Sequence, residues 1–189
     1  AEGMVVTDEA QFRTLPVKIA LARSNHAQVQ GDFGGAVKYA ELALELSPEE
    51  DSYSHAMATT TLGMAYWSRG DLDGAQRALS VWMNYCQKVG NNIFAVATGG
   101  YLAGIIVAQG HLREAERTYK QSIQLASTHD QSVRHVAANL YLGLGLLCHE
   151  QGDQQSAAQH LHKSEELGEQ ALIDWPYRWR LAQARLKEA

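Results

Sequence analysis

The sequence predicts an all-α fold of stacked antiparallel helix pairs, and three observations carry that prediction. A turn glycine recurs at Gly31-Asp32, Gly70-Asp71, Gly110-His111 and Gly152-Asp153, with spacings of 39, 40 and 42 residues. A regular period of this size is the mark of stacked repeats. Around each glycine one frame returns: alanine five residues later (Ala36, Ala75, Ala115, Ala157) and a small residue seven before it (Ser24, Gly63, Ala103, Gly145), which lets two helices approach closely. The 189 residues are 46% hydrophobic and hold 3 Pro against 16 Gly, so a large helical core is affordable and there is little signal for sheet or disorder.

Each element follows from this frame. Residues 1–15 carry no turn glycine and read as a lead-in segment, with Pro16 opening the first helix, where proline is tolerated. The repeats are then 16–48, 49–90, 91–128 and 129–171, with a partial fifth at 176–189. Eight residues before each turn glycine stand Arg23, Leu62, Leu102 and Leu144, and nine after it Ala40, Leu79, Tyr119 and Leu161; these are the larger core contacts, on one face by the 3.6-residue period. Arg23 in place of leucine predicts weaker packing of the first repeat. The turn glycines suit left-handed helix ends, and Asp32, Asp71 and Asp153 are candidate N-caps. Ser47-Pro48-Glu49-Glu50 reads as an N-cap, a proline at the first helical position and a glutamate three residues after the cap. Leu172-Ile173-Asp174-Trp175-Pro176 reads as a connector to a last helix from Tyr177. That helix ends before a turn glycine of its own and has no capping partner, which suggests a fragment of a longer protein and self-association through an open C-terminal helix.

The pattern Leu62-Gly63, Tyr66, Gly70, Ala75, with Pro48 closing the first repeat, resembles the tetratricopeptide repeat. The resemblance implies a right-handed superhelix of antiparallel helix pairs, here four full repeats plus the first helix of a fifth. The wording of the repeats is more specific. Val37-Lys38-Tyr39-Ala40, Leu62-Gly63-Met64-Ala65-Tyr66-Trp67, Ala108-Gln109-Gly110 with Leu112-Arg113-Glu114-Ala115, and Tyr177-Arg178-Trp179-Arg180 resemble the repeat region of MalT-like, large ATP-binding LuxR-type transcription regulators. That family implies a bacterial, cytoplasmic, effector-sensing or interaction segment, with an ATP-binding module and a helix-turn-helix DNA-binding module elsewhere in the full-length chain. Neither a Gly-x-x-x-x-Gly-Lys-Ser/Thr loop nor a basic helix-turn-helix is readable here.

In tetratricopeptide arrays the first helix of each pair lines a concave groove. The register places Asn25 and Gln28 of the first repeat there, with Thr60, Met64 and Trp67 of the second. The third repeat contributes Gly100, Gly104 and Val107, and the fourth Asn139, Leu142, Leu146 and His149, with Arg178 as a nearby positive charge. The lining is mostly apolar with polar edges, which suits a small effector or a peptide oriented by a few hydrogen bonds. A generic peptide-binding scaffold without a small-molecule effector is the competing reading. Trp67 and Met64 either stack on a ligand or pack between neighbouring helices. The helix bearing Gly99, Gly100 and Gly104 gives up helix propensity at each glycine, roughly 1 kcal/mol against alanine. Close helix packing and room for a ligand are the two compensations open.

Other classes find little support. The net charge of −5 supplies no basic footprint for nucleic acid. No apolar run reaches the roughly 18 residues of a membrane span. Cys86 and Cys148 lie in different repeats and read as buried free thiols. His160 and His162 point to different sides of a helix, and His129 and His135 have no partner at zinc spacing. The reading is therefore of a segment without a metal, cofactor or catalytic residues.

Overall fold

The computed structural model describes residues 8–48, 51–129, 131–168 and 175–187, and the described residues form nine α-helices and no strand. They are α1 (Glu9–Val29), α2 (Phe33–Glu45), α3 (Ser52–Arg69), α4 (Leu72–Lys88), α5 (Asn92–Ala108), α6 (Leu112–Ser127), α7 (Gln131–Glu150), α8 (Gln154–Gly168) and α9 (Trp175–Lys187). This is the tetratricopeptide pattern of four helix pairs and a ninth helix.

The repeat frame does the packing. Ala36, Ala75, Ala115 and Ala157 are completely buried, as are Ser24 and Ala103. A Cβ on Gly63 would lie 3.0 Å from Ala78 Cβ, and one on Gly145 3.0 Å from Leu161 Cγ, so glycine there is the condition of close helix approach. Leu62, Leu102, Leu144, Leu79, Tyr119 and Leu161 fill the core around these contacts. Arg23 stays exposed, its guanidinium 5.8 Å from the centroid of the Tyr39 ring. The turn residues Gly70 and Gly110 have φ of 86° and 81°, a left-handed backbone that glycine adopts without strain. The carboxylates of Asp32, Asp71 and Asp153 accept from the backbone N–H groups of Gly35, Gly74 and Ser156 at 2.8, 2.9 and 3.0 Å, each capping the following helix.

Three boundaries differ from the expectation. The first helix begins at Glu9, not Pro16, because Asp8 caps it by accepting from Gln11 N–H at 2.9 Å. Pro16 is thus inside α1 and donates no hydrogen bond to the turn before it. The cap of α3 is Asp51 and not Ser47: Asp51 accepts from Ser54 N–H at 3.0 Å, whereas the Ser47 hydroxyl donates back to Ala43 C=O at 2.8 Å at the end of α2. Two residues of the expected capping motif, Glu49 and Glu50, lie outside the described residues, as do Leu172, Ile173 and Asp174 of the expected connector. Trp175 belongs to α9, where it is buried and donates from Nε1 to Ser164 Oγ at 2.9 Å.

The chain divides into two compact units, residues 1–82 and 83–189. In the first, α1, α2 and α3 pack around Val17, Ala20, Ala40, Ala43, Ala58 and Leu62. Ser24 Oγ donates to Ala36 C=O at 2.7 Å, and Gln28 Nε2 donates to Met64 C=O and Ser68 Oγ at 3.1 and 2.6 Å. In the second, α7 is the central helix, packed against α5, α6, α8 and α9. Its Val133, Val136, Ala137, Leu140, Leu144 and Leu147 face one cluster, and Ala138 and Leu142 face another with Trp175 and Ala182.

Candidate functional site

The three glycines of α5 have different surroundings, and the difference singles out a candidate cleft. A Cβ on Gly99 would overlap Ser122, and one on Gly100 would come within 3.1 Å of Leu140 Cδ2. Those two glycines admit neighbouring side chains. A Cβ on Gly104 would meet nothing within 4 Å. Gly104 opens instead into a cleft of about 500 Å³ within the second unit.

Gly104 and Val107 form the α5 wall of this cleft, and Leu112 and Tyr119 come from α6. From α7 come Gly143, Leu146, Leu147 and Glu150, whose i, i+3, i+4, i+7 spacing puts them on one face. Arg178 of α9 completes the lining. Tyr119 is 5% exposed, and its ring reaches across the backbone of Gly143, where a Cβ would overlap the hydroxyl and Cζ. Burial pushes the Tyr119 phenol up, and the positive charge of Arg178 acts against that shift. Arg178 Nη1 donates to Asn139 Oδ1 at 3.1 Å, one turn of α7 before Gly143. Arg178 also borders a second recess of about 20 Å³ lined by Gly100, Tyr101 and Asn139.

The cleft is apolar along its length, with a guanidinium and a phenol near one end and a carboxylate at the last residue of α7. That composition suits binding and orientation of a ligand. Among the described residues no group of three or more His, Cys, Asp or Glu side chains is placed to hold a metal ion, and no helix is long and apolar enough to cross a membrane. Cys86 and Cys148 are buried and free, and burial raises both thiols.

The structure gathers part of the expected lining. Gly104, Val107, Leu146 and Arg178 share the cleft, and Gly100, Asn139 and Arg178 share the recess. Leu142 is fully buried against α9. His149 turns to Gln154, with Nδ1 3.1 Å from Oε1. In the first unit Gln28 is taken up by the hydrogen bonds to α3, Asn25 is exposed, and Thr60 donates to Ala56 C=O at 2.8 Å. Met64 and Trp67 are half-buried on α3. Sequence reasoning missed Tyr119, Gly143 and Glu150 as cleft residues. The signal available was the pairing of a large residue nine after one turn glycine with an extra glycine two before Gly145, since only a missing side chain accommodates that ring.

Among solved structures the chain is similar in fold to BtubC (BKLC) from P. vanneervenii, with a TM-score of 0.70 and 15% identity over 88% of this chain and 67% of that one. It is similar to MamA, with a TM-score of 0.61 and 19% identity over 81% of this chain and 78% of the other. It is also similar to the Rap conjugation gene regulator of the plasmid pLS20, solved in complex with the Phr* peptide, with a TM-score of 0.68 and 14% identity. That match covers 87% of this chain and 46% of the regulator, so the chain spans less than half of it. No curated protein matches the chain. The family model for the MalT-like TPR region matches residues 18–189, nearly the whole chain, and with the repeat frame in place the chain belongs to the MalT-like tetratricopeptide repeat family.

Proposed function

We propose that this chain is the effector- or partner-binding segment of a MalT-like, LuxR-type transcription regulator and that the cleft of the second unit is its binding seat. The observation that carries the reading is Gly104. It sits in the interior of α5, where an added Cβ would meet nothing within 4 Å and no left-handed turn calls for glycine, yet it costs the helix roughly 1 kcal/mol against alanine. A stability cost that leaves open volume is what a binding site accepts. The peptide-bound regulator of similar fold supports the use of such helix arrays for ligand capture. The ATP-binding and DNA-binding modules belong to other parts of the regulator, and the chain works in the cytoplasm by binding, not catalysis. Occupation of the cleft favours one arrangement of α5, α7 and α9 over others, which is how a ligand shifts a population.

Thermal unfolding against sugars, nucleotides, apolar metabolites and short peptides tests this, with Val107→Trp filling the cleft in parallel. A ligand at about 100 times its dissociation constant adds roughly 2.7 kcal/mol. At this length each kcal/mol raises the midpoint by roughly 2 to 4 °C. The expected result is a shift from one ligand class that Val107→Trp abolishes. A shift that survives Val107→Trp, or none from any class, contradicts the proposal.

A further inference from the structure

On the other side of α7 from the cleft, α6, α7 and α8 border a second cavity of about 360 Å³ within the second unit. Its α7 wall is Arg134, Ala137 and Tyr141, whose i, i+3, i+7 spacing puts them on one face. At 3.6 residues per turn that face is roughly opposite the one bearing Gly143, Leu146, Leu147 and Glu150. The body of the cavity is apolar: Ile123 and Ala126 from α6, Ala137 from α7 and Leu167 from α8. His135 Nδ1 lies 3.2 Å from Leu167 C=O, and Ser164 Oγ donates to Ala138 C=O at 2.7 Å. The two helices therefore run antiparallel, with Leu167 at the Arg134 end of the cavity and Lys163 toward Tyr141.

Both charged residues of the described lining, Arg134 and Lys163, are basic, although the chain as a whole carries a net charge of −5. Lys163 is balanced by Glu166, with Nζ 2.6 Å from Oε2. Arg134 is held differently. It donates from Nε to His129 C=O at 3.1 Å and from Nη2 to Ser127 C=O at 3.3 Å, which fixes the guanidinium at the end of α6 on neutral acceptors. Among the described residues no carboxylate is paired with it. Two of its five N–H donors carry those bonds, and a planar guanidinium placed at the end of an apolar cavity suits a carboxylate. A phosphate monoester would bring nearly two charges to that one cation.

We infer that this cavity is a second ligand site, separate from the cleft, for an aliphatic monocarboxylate. The carboxylate sits at Arg134 and the chain runs along the apolar wall toward Tyr141. From Arg134 to Tyr141 a helix rises about 10 Å, a length that an extended chain of about eight carbons matches. The volume is in the range of small-molecule sites.

The test titrates octanoate, octanol and octylamine calorimetrically into the chain and into Arg134→Gln, Ser127→Trp and Val107→Trp. Gln at position 134 keeps a donor for the α6 carbonyls and removes the charge, and Ser127 is an exposed lining residue where Trp fills the cavity. Circular dichroism checks that the variants remain helical. Octanoate is expected to bind saturably below about 1 mM, with octanol and octylamine about tenfold or more weaker. Arg134→Gln should reduce octanoate to the level of octanol, Ser127→Trp should abolish binding, and Val107→Trp, which fills the cleft, should leave it unchanged. Equal binding of octanoate and octanol overturns the inference, as does no saturable binding of octanoate up to about 1 mM. Unchanged octanoate binding in Arg134→Gln or in Ser127→Trp, or its loss in Val107→Trp, overturns it as well. The second cavity and the cleft share no described lining residue, so either site can fail its test alone.

Discussion

The ring of Tyr119 passes over Gly143 so closely that any side chain at position 143 would occupy the space of its hydroxyl and Cζ. Tyr119 is thereby both a core residue of α6 and part of the cleft wall. Gly143→Ala is expected to displace the ring and destabilise the second unit by about 1 to 3 kcal/mol, the usual cost of overpacking. Denaturant titration of Gly143→Ala, Tyr119→Leu and the double variant should show strong coupling, with Tyr119→Leu relieving most of the alanine penalty. Additive losses would mean that the two residues do not compete for the same space.

Gly104 is expected to behave in the opposite sense. Its helical backbone and empty surroundings allow alanine without strain, so Gly104→Ala should raise stability by up to about 1 kcal/mol through helix propensity. The same change at Gly99 should destabilise, because Ser122 occupies the place of the new methyl group. Thermal midpoints of the two variants check the contrast.

The start of α3 depends on Asp51. The Ser54 hydroxyl and then the Ser54 amide hold the Asp51 carboxyl below the usual carboxylate range. A depressed carboxyl contributes stability above its unfolded-state value, and the contribution is lost as pH falls through the folded-state value. Asp51→Ala is therefore expected to cost about 1 kcal/mol at neutral pH, and Asp51→Asn to keep most of it. The gap between wild type and Asp51→Ala should close in acid, as read by denaturation at a series of pH values.

His160 titrates in a milder range. Burial first, and then the charge of Lys120, lowers its affinity for a proton, and its ring stacks on Tyr141 with centroids 6.0 Å apart. The unfolded chain, with a histidine near about 6.5, binds that proton more readily. Stability from this site is present above that value and declines as pH falls below it. His160→Gln should flatten the pH dependence of the unfolding midpoint between about pH 7 and pH 5; an unchanged slope would assign it to other groups.

Much of the fold was legible because the turn glycines and the buried alanines impose one spacing on every pair. The carboxylate caps at Asp32, Asp71 and Asp153 and the close approaches at Gly63 and Gly145 fall where that spacing puts them. Helix starts were less legible where two polar residues compete for one role. Ser47 carries the sequence signs of a cap but spends its hydroxyl on the preceding helix, and Asp8 extends α1 through Pro16. The site was legible in part. Spacing identifies the face of α5 that bears Gly104 and Val107, yet it cannot say that Gly99 is filled by Ser122 while Gly104 is left open. Leu142 shares its register with Leu146, but Trp175 covers it, and that depends on a tryptophan that reads as part of a connector.

The most direct measurement of the central claim is backbone hydrogen exchange with and without a ligand found by thermal shift. If the cleft is the seat, protection should rise in α5 around Gly104 and Val107, in α7 from Asn139 to Glu150 and in α9 around Arg178, with α1 and α3 unchanged. Protection centred on Gln28 and Trp67, with α7 and α9 unaffected, would contradict it.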